Sequence, residues 1–135
     1  MNVTHIEHIG IAVANLEEAI KFYEEKLGLE CYRVEEVQEQ KVKTAFYKVG
    51  ETKLELLETT SEEGPIGKFI EKRGEGLHHV AFAVEGIQEN LDELAQQEVR
   101  LIDKTPRYGA EGLQIAFLHP KSTFGVLTEL CSKQQ

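Results

Sequence analysis

Two histidines and two glutamates recur at matched places in this chain, and their types suit a divalent-cation site. His8 opens the run His8-Ile9-Gly10-Ile11-Ala12-Val13, and His79 opens His79-Val80-Ala81-Phe82-Ala83-Val84, 71 residues later. Each half then ends on a strand-like stretch with one acid among apolar neighbours: Glu55 in Lys53-Leu54-Glu55-Leu56-Leu57, and Glu129 in Val126-Leu127-Thr128-Glu129-Leu130. The spacing from histidine to glutamate is 47 residues in the first half and 50 in the second, a difference that one loop insertion absorbs. Alternation turns Leu54 and Leu56 away from Glu55, and Thr128 and Leu130 away from Glu129. With the leucines toward the helices, both carboxylates line the other face, where two pseudo-symmetric halves bring two imidazoles and two carboxylates into one cleft. Such a mixed nitrogen and oxygen set holds a divalent metal and leaves positions for water or substrate. The cation also offsets the cost of burying two anions. A strand-end histidine or a single strand glutamate taken alone is an ordinary polar residue; recurrence at matched positions is what singles out these four. Parity sets His5 and His78 on the opposite strand face from His8 and His79, so they are not expected as ligands unless a strand bulge shifts them.

The elements that must position this set are legible as a repeat. Each histidine strand leads through a polar break into a helical pattern, Leu16, Ala19, Ile20 and Tyr23 in the first copy and Ile87, Leu91 and Leu94 in the second. Asn15 is placed to cap the first helix, with Glu18 three residues on, and Gly28 is placed to end it, so a helix over about Leu16 to Leu27 is predicted. Three strands follow it, at Cys31 to Val34, Val42 to Val49 and Lys53 to Leu57. The second helix is followed by predicted strands at Val99 to Ile102, Leu113 to Leu118 and Gly125 to Leu130. Pro65, with Ile66, Phe69 and Ile70, predicts a short helix between the halves. The reading is an α+β fold of two tandem βαβββ modules forming one curved mixed sheet around a metal-binding cleft. It is one domain over 1–135, with module one at about 4–58, a linker helix at about 59–75 and module two at about 76–132.

Composition narrows the partners. Fifteen basic against 24 acidic residues give a net charge of -9, and no basic stripe with interleaved aromatics occurs, so nucleic acid is not an expected partner. A locally basic pocket remains compatible with a small anion, and Lys104, Arg107 and Lys121 cluster late in the chain. No apolar run approaches a bilayer span and no signal-peptide pattern opens the chain, so a cytoplasmic protein is expected. Cys31 and Cys131 are too few for a disulfide framework and lack metal-type spacing, and they read as plain strand residues.

Taken together, the paired modules and the His, Glu, His, Glu set resemble the vicinal oxygen chelate superfamily, which includes glyoxalase I, extradiol dioxygenases and methylmalonyl-CoA epimerase. The runs Gly76-Leu77-His78-His79-Val80-Ala81-Phe82, Phe117-Leu118-His119-Pro120-Lys121-Ser122 and Gly125-Val126-Leu127-Thr128-Glu129-Leu130 are most similar to its epimerase branch. That resemblance implies metal-dependent interconversion of the R and S forms of methylmalonyl-CoA through a metal-stabilised enolate. It implies metal ligation by His8, Glu55, His79 and Glu129, with Co, Mn, Ni, Zn or Fe as the ion, an acyl-CoA substrate, and a homodimer. Certain epimerases place a catalytic glutamate shortly after a Glu-Gln dipeptide; counting from Glu39-Gln40 puts Thr44 there, and a threonine is no carboxylate base. Glu129 and Glu55 are therefore expected to share the proton transfer, and Lys121 to contact a CoA phosphate or carboxylate. The alternatives are a glyoxalase I-type isomerase, against which the His119-Pro120-Lys121-Ser122 turn stands, and a non-catalytic binding or resistance protein, against which the four filled ligand positions stand.

Overall fold

A computed structural model describes residues 1–133 as α+β, arranged in two compact units. One unit is His8–His78; the other joins Met1–Glu7 to the chain from His79 onward. Strand β1 (Val3–Ala12) therefore gives its first half to one unit and its second half to the other.

In the His8–His78 unit, β1 is followed by α1 (Leu16–Glu25), β2 (Cys31–Val37), β3 (Val42–Val49), β4 (Thr52–Thr59) and α2 (Pro65–Arg73). The strand order is β2-β3-β4-β1, with β4 parallel to β1 and antiparallel to β3. Helix α1 starts where Asn15 Oδ1 accepts the Glu18 amide at 3.0 Å, as the sequence predicts. It ends at Glu25, earlier than expected. The Gly28 backbone then takes φ 70°, and the Leu29 amide returns to the Tyr23 carbonyl at 3.0 Å. Leu16, Ala19, Ile20 and Tyr23 pack on Ala45, Tyr47, Leu54 and Leu56, which fixes one face of the sheet as the helix face. On the other face α2 lays Ile66, Phe69 and Ile70 against Ala12, Val42 and Leu57. Pro65 sits in its first turn, where a missing amide costs nothing.

The second unit contains β5 (Gly76–Val84, entering from the first unit), α3 (Ile87–Gln96), β6 (Arg107–Tyr108), β7 (Gln114–Leu118) and β8 (Thr128–Ser132). The order is β1-β5-β8-β7-β6, with β8 parallel to β5 and antiparallel to β7. Ile87, Leu91 and Leu94 of α3 meet Val84, Ala116, Leu118 and Leu130 on the helix face. Ala81, Ile115 and Cys131, with Leu113 and Phe117, form a smaller cluster on the opposite face.

Two expected strands differ. Val99 to Ile102 is not one: only Leu101 pairs, in a single bridge to Leu118, and the edge strand is Arg107–Tyr108. The backbone at Arg100 and Ile102 does run beside β7, bonding through His119 N to Arg100 O and Ile102 N to Phe117 O, both at 2.9 Å. The last strand starts at Thr128 rather than Gly125. Phe124 and Gly125 take φ of 59° and 89° in a turn closed by the Gly125 amide on the Pro120 carbonyl at 2.8 Å, so neither continues a ladder.

Candidate metal and active site

Within the His8–His78 unit, the second half of β1 turns His8, Gly10 and Ala12 to the face away from α1, and all three are buried. The parallel register sets Gly10 beside Glu55, while the antiparallel register sets Phe46 on its other side. Glu55 thus stands between a residue with no side chain and a phenylalanine. His8 Nδ1 lies 3.3 Å from Glu55 Oε2. Both side chains are under a tenth exposed, at 5% and 7%.

The second unit repeats the arrangement. Ala81 is the register partner of Glu129 on one side and Phe117 on the other. His79 Nε2 lies 3.5 Å from Glu129 Oε1, with the two side chains 6% and 4% exposed. The His79 ring meets Phe117 edge to face at 5.7 Å between centroids, and the Arg107 guanidinium lies 5.5 Å from the Phe117 ring centre while pairing with Asp103 at 3.3 Å. Cys131, two residues beyond Glu129 and on the same strand face, donates its thiol to Glu129 Oε2 at 2.7 Å.

Each half of the expected set therefore exists as a buried imidazole–carboxylate pair. The repeat also matches Phe46 with Phe117, separated by the same 71 residues as His8 and His79, and as Gly10 and Ala81. The hydrogen bond of Cys131 to Glu129 corrects the expectation of a plain strand residue. His5 and His78 make contacts of their own. His78 is half-buried with its ring against Phe69 at 4.9 Å, and His5 is half-buried with its Nδ1 at 3.0 Å from Thr4 Oγ1.

Thr44 is buried on the same face as Phe46, in a row with Glu35 on β2 and Leu57 on β4. Glu35 pairs with Arg33 at 3.1 Å. Lys121 is exposed on the 3-10 turn after β7, where its amide donates to His119 Nδ1 at 3.0 Å.

The donor chemistry fits a divalent cation. A carboxylate that is nine-tenths buried is unfavourable without positive charge nearby, and a neutral imidazole with a carboxylate is a common nitrogen and oxygen donor pair. The same pairs offer carboxylate oxygens for proton transfer in surroundings largely closed to water.

Comparison with known proteins gives a consistent picture. Residues 7–117 match the family model for the Glyoxalase/Bleomycin resistance protein/Dioxygenase superfamily. The chain is 48% identical over 129 residues to the uncharacterized protein YqjC of Bacillus subtilis, covering 96% of this chain and 92% of that one. It is 35% identical over 130 residues to the mitochondrial methylmalonyl-CoA epimerase of Homo sapiens, covering 96% and 74%. Among solved structures, a methylmalonyl-CoA epimerase in complex with methylmalonyl-CoA and NH4+ superimposes with a TM-score of 0.94 at 38% identity, over 98% of this chain and 96% of the other.

Proposed function

Because the chain belongs to the glyoxalase, bleomycin resistance protein and dioxygenase superfamily, we propose that it is an isomerase of the methylmalonyl-CoA epimerase type, interconverting the R and S forms of methylmalonyl-CoA. The observation that carries this reading is the duplicated buried pair, His8 with Glu55 and His79 with Glu129. Near-full-length likeness to epimerases supports it.

The substrate carbon sits between a thioester and a carboxylate, so its C–H is a weak acid whose removal leaves an enolate. A divalent ion held by His8, Glu55, His79 and Glu129 supplies Lewis acidity toward the substrate oxygens, with Co, Mn, Ni, Zn and Fe as candidates. The chain's own residues do the rest. Glu55 takes the proton from one face of the carbon and Glu129 returns one to the other, with the roles exchanged in the reverse direction. Phe46 and Phe117 flank the two carboxylates and limit their contact with water, which strengthens both proton transfers. Lys121 contacts a CoA phosphate as a mobile point charge. No helix among the described residues is long and apolar enough to cross a membrane. We read the active species as a cytosolic homodimer, to be checked by sedimentation and fractionation.

The test is exchange of the α proton of methylmalonyl-CoA in heavy water, with and without EDTA. Fast, chelator-sensitive exchange with racemisation is the expected result. Background exchange in metal-replete protein overturns the reading and shifts the substrate to a hemithioacetal of the glyoxalase type or to a bound ligand that is not turned over.

A further inference from the structure

The two repeats diverge at one position that touches the chemistry. Two residues past each glutamate, on the same strand face, the first repeat has Leu57 and the second has Cys131. Leu57 packs against Ile66 of α2. Cys131 is fully buried between its register partners Ala83 and Ile115, and its thiol donates to Glu129 Oε2 at 2.7 Å. The other oxygen of the same carboxylate, Oε1, is the one near His79 Nε2. A carboxylate in a strand interior has a freely swinging terminal torsion unless something holds one oxygen. A donor to a charged acceptor is the stronger kind of hydrogen bond, so even a thiol, a weak donor toward neutral groups, holds this oxygen in place.

We infer that Cys131 is a positioning residue: by holding Glu129 Oε2 it fixes the carboxylate plane and presents Oε1, beside His79, to the metal and the substrate. The inference rests on the reading of Glu129 as a metal ligand. It makes the two carboxylates unequal. Glu129 has a thiol donor on its own strand face, and Glu55 has Leu57 at the matching place.

The experiment is a titration of the apoprotein with Co2+, followed by calorimetry, on the unsubstituted chain, Cys131→Ala and Cys131→Ser, with thermal unfolding confirming that each variant is folded. Serine keeps a hydroxyl donor on a shorter bond, and the 2.7 Å separation is short enough to leave it within reach. Loss of an orienting partner typically weakens metal affinity about 10–100-fold, which is the drop expected for Cys131→Ala, with Cys131→Ser retaining most of the affinity. Serine does not replace a thiolate ligand, so its rescue also separates an orienting thiol from one that binds the ion itself. Unchanged Co2+ affinity in Cys131→Ala overturns the inference. Equal loss in both variants also overturns it, by assigning the residue to packing or direct ligation, and so does absence of Co2+ binding in the unsubstituted chain. Because the readout is metal affinity, failure of the epimerase reading shows separately, as Co2+ binding without α-proton exchange.

Discussion

Glu55 lies beside Gly10 across the parallel β1–β4 ladder, and 71 residues after Gly10 the same place beside Glu129 is held by Ala81. In both units a small residue, glycine in one and alanine in the other, stands next to the acid, two positions after the histidine that lies near it.

The two glutamates are expected to respond differently to amidation. Both amides keep an oxygen for a metal, and Glu129→Gln is expected to lose more affinity because the Cys131 thiol then faces a neutral amide rather than a charged carboxylate. Loss of a positioned acid or base lowers rate by about 10²–10⁴-fold, and both variants should fall in that range for α-proton exchange, read by proton NMR beside the metal content. Full activity in metal-loaded Glu129→Gln would remove the glutamate from the mechanism.

Glu35 shares the face of Thr44 but is engaged by Arg33 at 3.1 Å. Glu35→Gln should leave exchange at the unsubstituted rate. A large drop in kcat would transfer the role of Glu55 to Glu35.

Tyr47 is fully buried, and its hydroxyl has no hydrogen-bond partner among the described residues. Burial, with the nearby Cys31, Glu24 and Tyr23 adding to it, raises its pKa from 10.0 to about 12. The neutral phenol is the form the fold accepts, so its contribution to stability is intact below pH 10 and is lost as pH climbs toward 12, where the unfolded chain ionises first. Denaturant melts across that window should show the loss. Tyr47→Phe should remove this component and, by deleting an unsatisfied polar group, leave neutral-pH stability equal or raise it by about 1 kcal/mol.

Phe124 is fully exposed and holds φ at 59°, a left-handed conformation disfavoured for a bulky residue. It buries nothing in return. Phe124→Gly should therefore gain about 1 kcal/mol in chemical denaturation. A loss would show that the ring has a packing partner.

Phe46 is fully buried beside Glu55, so truncation opens a cavity next to a carboxylate. Phe46→Ala should cost about 3–5 kcal/mol by urea unfolding. Retained stability would mean that the strand face collapses around the gap.

Much of this was open to reading because repetition reports position as well as type. The matched histidines and glutamates named the pairs, the leucines beside the glutamates named the helix face, and Asn15 and Pro65 named two helix starts. What escaped reading depended on partners far along the chain. Val99 to Ile102 has strand-like residues, yet β7 accepts only Leu101 from it in a ladder bridge. Arg107 and Tyr108 have no strand pattern of their own and are recruited by Ile115 and Gln114. The turn at Phe124 and Gly125 depends on backbone angles that a phenylalanine does not advertise. Cys131 was indistinguishable from any apolar strand residue until its distance to Glu129 was known.

Each His–Glu pair straddles parallel strands, and parallel neighbours cannot be joined by a tight turn. His8 and Lys53 are register partners 45 residues apart, and Val80 and Thr128 are partners 48 apart. Helices and hairpins within each unit close short loops, whereas the ladders that unite imidazole with carboxylate close long ones and cost more chain entropy. The His–Glu pairs thus depend on long-range closure, and a partly unfolded chain carries the four residues without the pairs.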